Sequence, residues 1–104
     1  MVRGKKLAIL VSAAPGRPNF RHSLCLAQAA RAQGAEVYLY CIAEAVRGLA
    51  DPLLHRVCAR GVKLFVCGYS AQRHRVAPDD RATFAGLATL SELIAAADRF
   101  VAFN

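Results

Sequence analysis

The sequence predicts a single three-layer α/β/α domain over residues 1–104, with a mostly parallel sheet of four to five strands. Strand-like and helical segments alternate along the chain, which is typical of parallel strands joined by crossover helices. The strand-like runs are largely apolar, as expected for strands covered on both faces. The length of 104 residues leaves room for one core, and a hydrophobic fraction of 56% disfavours a disordered chain.

The first strand and helix are marked by an apolar run, a loop and a helical repeat. Leu7–Val11 is continuously apolar and predicts a central strand. Ser12–Asn19 contains two prolines and a glycine and predicts a loop. Phe20–Gln33 carries apolar residues at helical spacing, with Asn19 as the expected N-cap and Gly34 as the stop.

The second strand and helix follow the same order. Glu36–Ile42 is rich in β-branched and aromatic residues and predicts a strand. A loop comes next and carries Val46, Gly48 and Leu49. Asp51 and Pro52 then have the residue types preferred at the N-cap and first position of a helix, and Gly61 ends that helix.

The last third of the chain contains a third strand, an irregular segment, a helix and a closing strand. Val62–Cys67 predicts the third strand, and residues 69–80 predict an irregular segment or a single helical turn. Thr89, with a glutamate three residues later, has the form of a capping box and predicts a helix over Leu90–Ala97. Phe100–Phe103 predicts a short final strand.

The charge balance restricts the class of partner. Fourteen Lys and Arg against seven Asp and Glu give a net charge of +7, which favours anionic partners. The basic residues are scattered, without a long run or a basic strand rich in aromatics. Nucleic acid is therefore not expected as a partner. An acidic protein or a small anion fits the positive charge as well as a nucleic acid does.

The compartment is predicted from the apolar runs and the cysteines. No run approaches the length that crosses a bilayer, and Leu7–Val11 is too short for a signal peptide, so we expect a cytoplasmic protein without membrane contact. The four cysteines form no C-x-x-C pair and are expected to be free thiols. His55, Cys58, Cys67 and His74 match no zinc spacing, so no metal and no cofactor are expected.

Cys67 is the main candidate for chemistry. It closes the third predicted strand, and in a parallel sheet the carboxyl ends of the strands form the rim where ligands and reactive groups collect. A thiol beside cationic side chains is partly ionised, and the thiolate is the reactive form. The competing interpretation is a buried, inert small hydrophobe. Cys41 closes the second strand and is the second candidate thiol.

The residues after Cys67 supply the candidate substrate- or partner-binding side chains. They are Tyr69, Ser70, Arg73, His74 and Arg75. Other chemistries are disfavoured: the loop after the first strand lacks both G-x-x-x-x-G-K-[ST] and G-x-G-x-x-G, so nucleotide hydrolysis is not expected. A cysteine hydrolase pairing Cys67 with His74 has no evident oxyanion hole.

An ordered set of segments then resembles a known family. It consists of Leu7–Ser12, Gly34–Val37, Gly61–Cys67, Ser70–Arg73, Leu87–Leu93 and Ala97–Phe103. Together these segments resemble the DsrE/TusD-type (DsrE/DsrF-like) sulfur-relay family over nearly the whole chain, which implies one DsrE-like domain. The glycine-valine strand that ends in cysteine is their most specific part.

The resemblance implies a sulfurtransferase-type carrier that holds sulfane sulfur as a persulfide on Cys67. It also implies sulfur donor and acceptor proteins as partners, and an oligomer of identical or related subunits, such as a trimer or hexamer. Arg73 and Arg75 are expected to stabilise the thiolate and to dock an acidic partner. Two alternatives stay open: a non-catalytic subunit with an inert cysteine, and a basic nucleic-acid or nucleotide binder. Neither tRNA thiolation nor sulfur oxidation is favoured as the pathway.

Overall fold

A computed structural model describes residues 3–104 and contains one five-stranded, all-parallel sheet. The strands are β1 (Lys6–Val11), β2 (Glu36–Cys41), β3 (Lys63–Cys67), β4 (Ala82–Ala85) and β5 (Arg99–Phe103). The helices are α1 (Pro18–Ala32), α2 (Pro52–Ala59), α3 (Gly68–Arg73) and α4 (Leu87–Ala96), with a 3-10 helix at Ala43–Ala50. The predicted three-layer α/β/α class is confirmed.

The strand order β4-β3-β2-β1-β5 decides which helix lies on which face of the sheet. From β1 to β4 the chain moves steadily toward one edge, and it then returns across the sheet to place β5 beside β1. Because parallel crossovers are right-handed, a reversal of direction puts the connecting helix on the opposite face. The connections through α1, α2 and α3 therefore share one face, and α4 alone covers the other.

The α1 face of the sheet holds the main core. Every second strand residue points to it, including Ile9, Leu39 and Val66, which belong to one buried cluster. Phe20 of α1 is buried in the same cluster and lies against Gly48 of the 3-10 helix. A side chain of that size contributes about 2–3 kcal/mol when it is fully buried. This face therefore supplies most of the apolar burial.

The α4 face is covered only in part. The alternate strand residues, including Tyr38, Tyr40 and Phe65, lie on this side of the sheet. Seven of the ten residues of α4 are apolar, yet none of the ten is buried. Phe100 of β5 is 40% exposed on the same face. The face leaves apolar surface open to solvent.

The predicted start of α2 and the predicted ends of α1 and α2 are confirmed. The Asp51 carboxylate accepts a hydrogen bond from the Leu53 N–H at 2.8 Å, and Pro52 is the first residue of α2. Gly34 and Gly61 follow α1 and α2 with φ of 94° and 103°, a conformation that favours glycine.

Two predicted helix starts are wrong. Helix α1 begins at Pro18 with Arg17 as N-cap, because proline suits the first helical position. Asn19 lies inside the helix, and its side-chain amide donates to the Asn104 carbonyl. Helix α4 begins at Leu87, so Thr89 lies in its first turn rather than at its cap.

Two elements were missed. Strand β4 has only four residues at the edge of the sheet, a length at which the pattern of apolar residues carries little signal. The loop predicted around Val46, Gly48 and Leu49 forms the 3-10 helix. Residues 69–80 were predicted to be irregular or a single helical turn. They contain most of α3, which begins at Gly68, followed by an irregular stretch.

Candidate functional site

Cys67 is the last residue of β3, at the carboxyl rim of the sheet between β2 and β4. Cys41 pairs with Val66 in the β2–β3 register, and both belong to the core on the α1 face. The next residue, Cys67, therefore lies on the α4 face. Only 4% of its surface is exposed. The thiol is at the rim but is nearly covered.

The Cys67 thiol is held by hydrogen bonds from the segment that follows it. Cys67 is the N-cap of α3, and its Sγ accepts a hydrogen bond from the Ser70 backbone N–H at 3.5 Å. Burial by itself raises the pKa of this thiol. Hydrogen bonds from the Ser70 side chain, from the backbone N–H groups of Ser70 and Tyr69, and from Tyr40 outweigh burial, so the pKa lies below its usual value. The arrangement favours a thiolate.

Ser70 links the thiol to the end of β2. Its buried hydroxyl accepts a hydrogen bond from the Ala43 N–H at 2.9 Å. The same hydroxyl contributes to lowering the pKa of Cys67. Ala43 has φ of 55°, an unfavourable conformation for a residue with a Cβ. This strained residue aims its N–H at Ser70, and the resulting contact orients the serine hydroxyl.

Tyr40 is a site residue that the sequence reasoning missed. It is 1% exposed, and its hydroxyl lies 3.1 Å from the carbonyl oxygens of both Ala85 and Gly86. Burial, together with the neighbouring Cys67, raises the pKa of Tyr40 to about 12. The available signal was a tyrosine on the strand beside β3, one residue before the end of that strand at Cys41 and in register with Phe65.

The predicted binding residues are divided between the interior and the surface. Ser70 is buried at the thiol, whereas Tyr69 is 68% exposed. Arg73 is exposed, donates from Nη1 to the Tyr69 hydroxyl at 3.3 Å, and lies over its ring. His74 is the half-buried C-cap of α3, and Arg75 is exposed with φ of 56°.

The groups that lower the pKa of the Cys67 thiol are not the arginines that were expected to stabilise its thiolate. Within residues 3–104, the groups that lower the pKa of Cys67 are hydroxyl and backbone N–H donors, and no arginine is among them. The Arg73 guanidinium is engaged with Tyr69 instead. The expected stabilisation of the thiolate is therefore supplied by short-range hydrogen bonds.

The other cysteines stay away from this site. Cys41 is fully buried on the α1 face, on the opposite side of the sheet from Cys67, and burial raises its pKa to about 12. Because the sheet separates them, the two thiols do not form a pair. Cys25 is exposed on α1, and Cys58 is half-buried on α2. All four are free thiols.

Across residues 3–104, no group of three or more His, Cys, Asp or Glu side chains is gathered to hold a metal ion. Over the same residues, no helix has the length and apolar character needed to traverse a bilayer. The loop after β1 lines an open cleft of about 640 Å³ together with Glu44 and Asn104, on the same rim as Cys67.

Comparison with known proteins shows a family match and two similar structures. The model of the DsrE/DsrF-like family matches residues 5–103. The ychN protein from E. coli has a TM-score of 0.85 at 23% identity, covering 95% of this chain and 99% of that one. BT1422 from Bacteroides thetaiotaomicron, a conserved protein of unknown function, has a TM-score of 0.68 at 15% identity and 94% coverage of both chains. At these identities the two structures show a shared fold. No curated protein matches the sequence.

Proposed function

This chain belongs to the DsrE/DsrF-like family, and from that premise we propose that it is a cytoplasmic sulfur-relay protein. It carries sulfane sulfur as a persulfide on Cys67 and passes it between partner proteins. The observation that supports this most directly is the hydrogen-bonded thiol at the rim, whose pKa lies below its usual value.

The proposed transfer is a thiol exchange without net oxidation. The Cys67 thiolate attacks the outer sulfur of a donor persulfide, the donor S–S bond breaks, and the donor leaves as a thiolate that takes up a proton. Cys67 then holds one extra sulfur. An acceptor thiolate attacks that outer sulfur in turn, and Cys67 leaves as a thiolate. A lowered pKa favours the first step and makes Cys67 a good leaving group in the second.

The partners are proposed from the surface beside the thiol. Tyr69, Arg73 and Arg75 present an exposed aromatic ring and two cations within eight residues of Cys67. An acidic surface on a donor or acceptor protein complements these cations. The open α4 face is proposed to bind a second copy of this chain or a related subunit, because its apolar residues are left unburied.

The 4% exposure of Cys67 favours the second candidate, a structural subunit with an inert cysteine. The deciding experiment is intact-mass spectrometry after incubation with glutathione persulfide. Wild type is compared with Cys67→Ser and with Cys58→Ser, which removes a half-buried thiol outside the site. We expect one added sulfur in wild type and Cys58→Ser, and none on Cys67→Ser. Equal loading of all three proteins, or no loading of the folded wild type, would contradict persulfide carriage on Cys67.

A further inference from the structure

The Tyr40 side chain lies across the strand that carries Cys67. It projects from β2, yet its hydroxyl reaches the carbonyls of Ala85 and Gly86 beyond β3. Ala85 is the residue paired with Cys67 in the β3–β4 register. Tyr40 and Cys67 also share the α4 face of the sheet, so the phenol passes the thiol on its way to β4.

The Tyr40 hydroxyl has one proton and three neighbouring acceptors. Two are the backbone carbonyl oxygens at 3.1 Å. The third is the Cys67 sulfur, which lies close enough for the two groups to shift each other's pKa. A hydrogen bond to an ion is roughly twice as strong as one between neutral groups. The Tyr40 hydroxyl is therefore expected to donate to the Cys67 sulfur, rather than to a carbonyl, when the sulfur is charged.

Tyr40 keeps this proton over the range in which Cys67 ionises. Burial raises the pKa of Tyr40 to about 12, so the phenol remains a donor at neutral and mildly alkaline pH. The other donors that lower the pKa of Cys67 are the Ser70 hydroxyl and two backbone N–H groups of α3, and none of them titrates. The β4–α4 junction contributes only neutral residues, Ala85 and Gly86.

We infer that Tyr40 is a positioning residue for Cys67. When the sulfur becomes an anion, the Tyr40 hydroxyl transfers its hydrogen bond from the Ala85 and Gly86 carbonyls to the sulfur. The same hydrogen bond is offered to the persulfide anion of the loaded state, and this part rests on the proposed function. Ionisation of the thiol thereby loosens the attachment of β2 to the start of α4.

The test is the pH dependence of alkylation at Cys67 in Tyr40→Phe. The chain also carries Cys25→Ser and Cys58→Ser, which leaves Cys67 and the fully buried Cys41, and peptide mass mapping assigns the product. Tyr38→Phe is the matched control: Tyr38 lies on the same strand and face, but its hydroxyl donates to Glu36 at 3.1 Å. Iodoacetamide rates are measured from about pH 5 to about pH 10.

We expect Tyr40→Phe to move the midpoint of the rate profile to higher pH by about half a unit to one unit. The rate below the midpoint falls roughly three- to tenfold, because each unit is a tenfold change in thiolate. Tyr38→Phe should superimpose on the parent. If the midpoint of the rate profile is unchanged in Tyr40→Phe, the inference is overturned. A change only in the plateau rate at high pH overturns it as well, because that rate reports only the access of iodoacetamide to the thiolate.

These outcomes are independent of sulfur loading. If the wild type fails to load sulfur while Tyr40→Phe still shifts the midpoint, the proposed function fails and the positioning role stands. If the wild type loads sulfur while the midpoint does not move, the positioning role fails and the proposed function stands.

Discussion

Burial and hydrogen bonding act on Cys67 in opposite directions. Removal of the thiolate from water disfavours ionisation, whereas four hydrogen bonds from Ser70, Tyr69 and Tyr40 favour it, and the net pKa is lowered. For Cys41 burial is the main influence, and it raises the pKa of this thiol to about 12. Two cysteines at the ends of neighbouring strands therefore differ because of what surrounds the sulfur.

Cys41 is expected to make the protein sensitive to alkaline conditions. Its pKa is about 12 in the fold and 9.0 for an ordinary thiol, so the unfolded chain loses this proton first as the pH rises. The free energy of unfolding then decreases between about pH 9 and about pH 12, by at most about 1 kcal/mol per pH unit for this group.

The measurement is urea unfolding of wild type and Cys41→Ala at several pH values. Cys41→Ala should be less stable at neutral pH, by about 1–2 kcal/mol for the lost packing. It should also lose stability less steeply above pH 9. Parallel pH dependence in the two proteins would exclude Cys41 as a source of the alkaline sensitivity.

The 3-10 helix shows how an element is positioned by one close contact. Gly48 lies directly against the Phe20 ring, and a Cβ at this position would overlap ring atoms. The contact lets the helix pack closely on α1, and Ala43 at its start then donates its N–H to Ser70. The position of the Ser70 hydroxyl therefore depends on how this helix packs against α1.

Gly48→Ala is expected to destabilise the fold by about 1–3 kcal/mol, because overpacking displaces the Phe20 ring. Gly86→Ala is the control, since a Cβ there meets nothing within 4 Å and φ is −95°. Thermal unfolding followed by circular dichroism compares the two variants. Equal midpoints for Gly48→Ala and Gly86→Ala would show that the contact is easily relieved.

The whole molecule buries its two sheet faces unequally. The α1 face is covered by α1, α2, α3 and the 3-10 helix, and the α4 face by one helix without a buried residue. Leu87 and Ile94 of α4 are 62% and 38% exposed, and Phe100 of β5, on the same face of the sheet, is 40% exposed. Apolar surface of this kind is typical of a face that contacts another subunit.

A charge placed on the α4 face is expected to dissociate an oligomer formed through it. Ile94→Glu and Phe100→Glu should each shift the wild-type mass toward the monomer, because an unpaired charge in an interface is costly. His22→Glu on the exposed side of α1 should leave the mass unchanged. Size-exclusion chromatography with light scattering gives the masses, and a monomeric wild type would refute self-association.

The sequence by itself determined the α/β class, the order of the long elements and the helix caps at Asp51 and Gly61. It also placed Cys67 at the carboxyl end of the third strand. These features follow from local preferences, which apolar periodicity and single residues such as Pro52 report directly. The family resemblance, carried by an ordered set of such segments, is confirmed by the match over residues 5–103.

Only the tertiary structure decided which groups meet the sulfur. Tyr40 reaches Cys67 because β2 and β3 pair in one register, and Cys41 is separated from it because side chains alternate across the sheet. Ser70 is a buried hydrogen-bond partner because Ala43, 27 residues earlier, points its N–H at it. Such contacts join residues distant in sequence, and their geometry depends on how strands and helices pack.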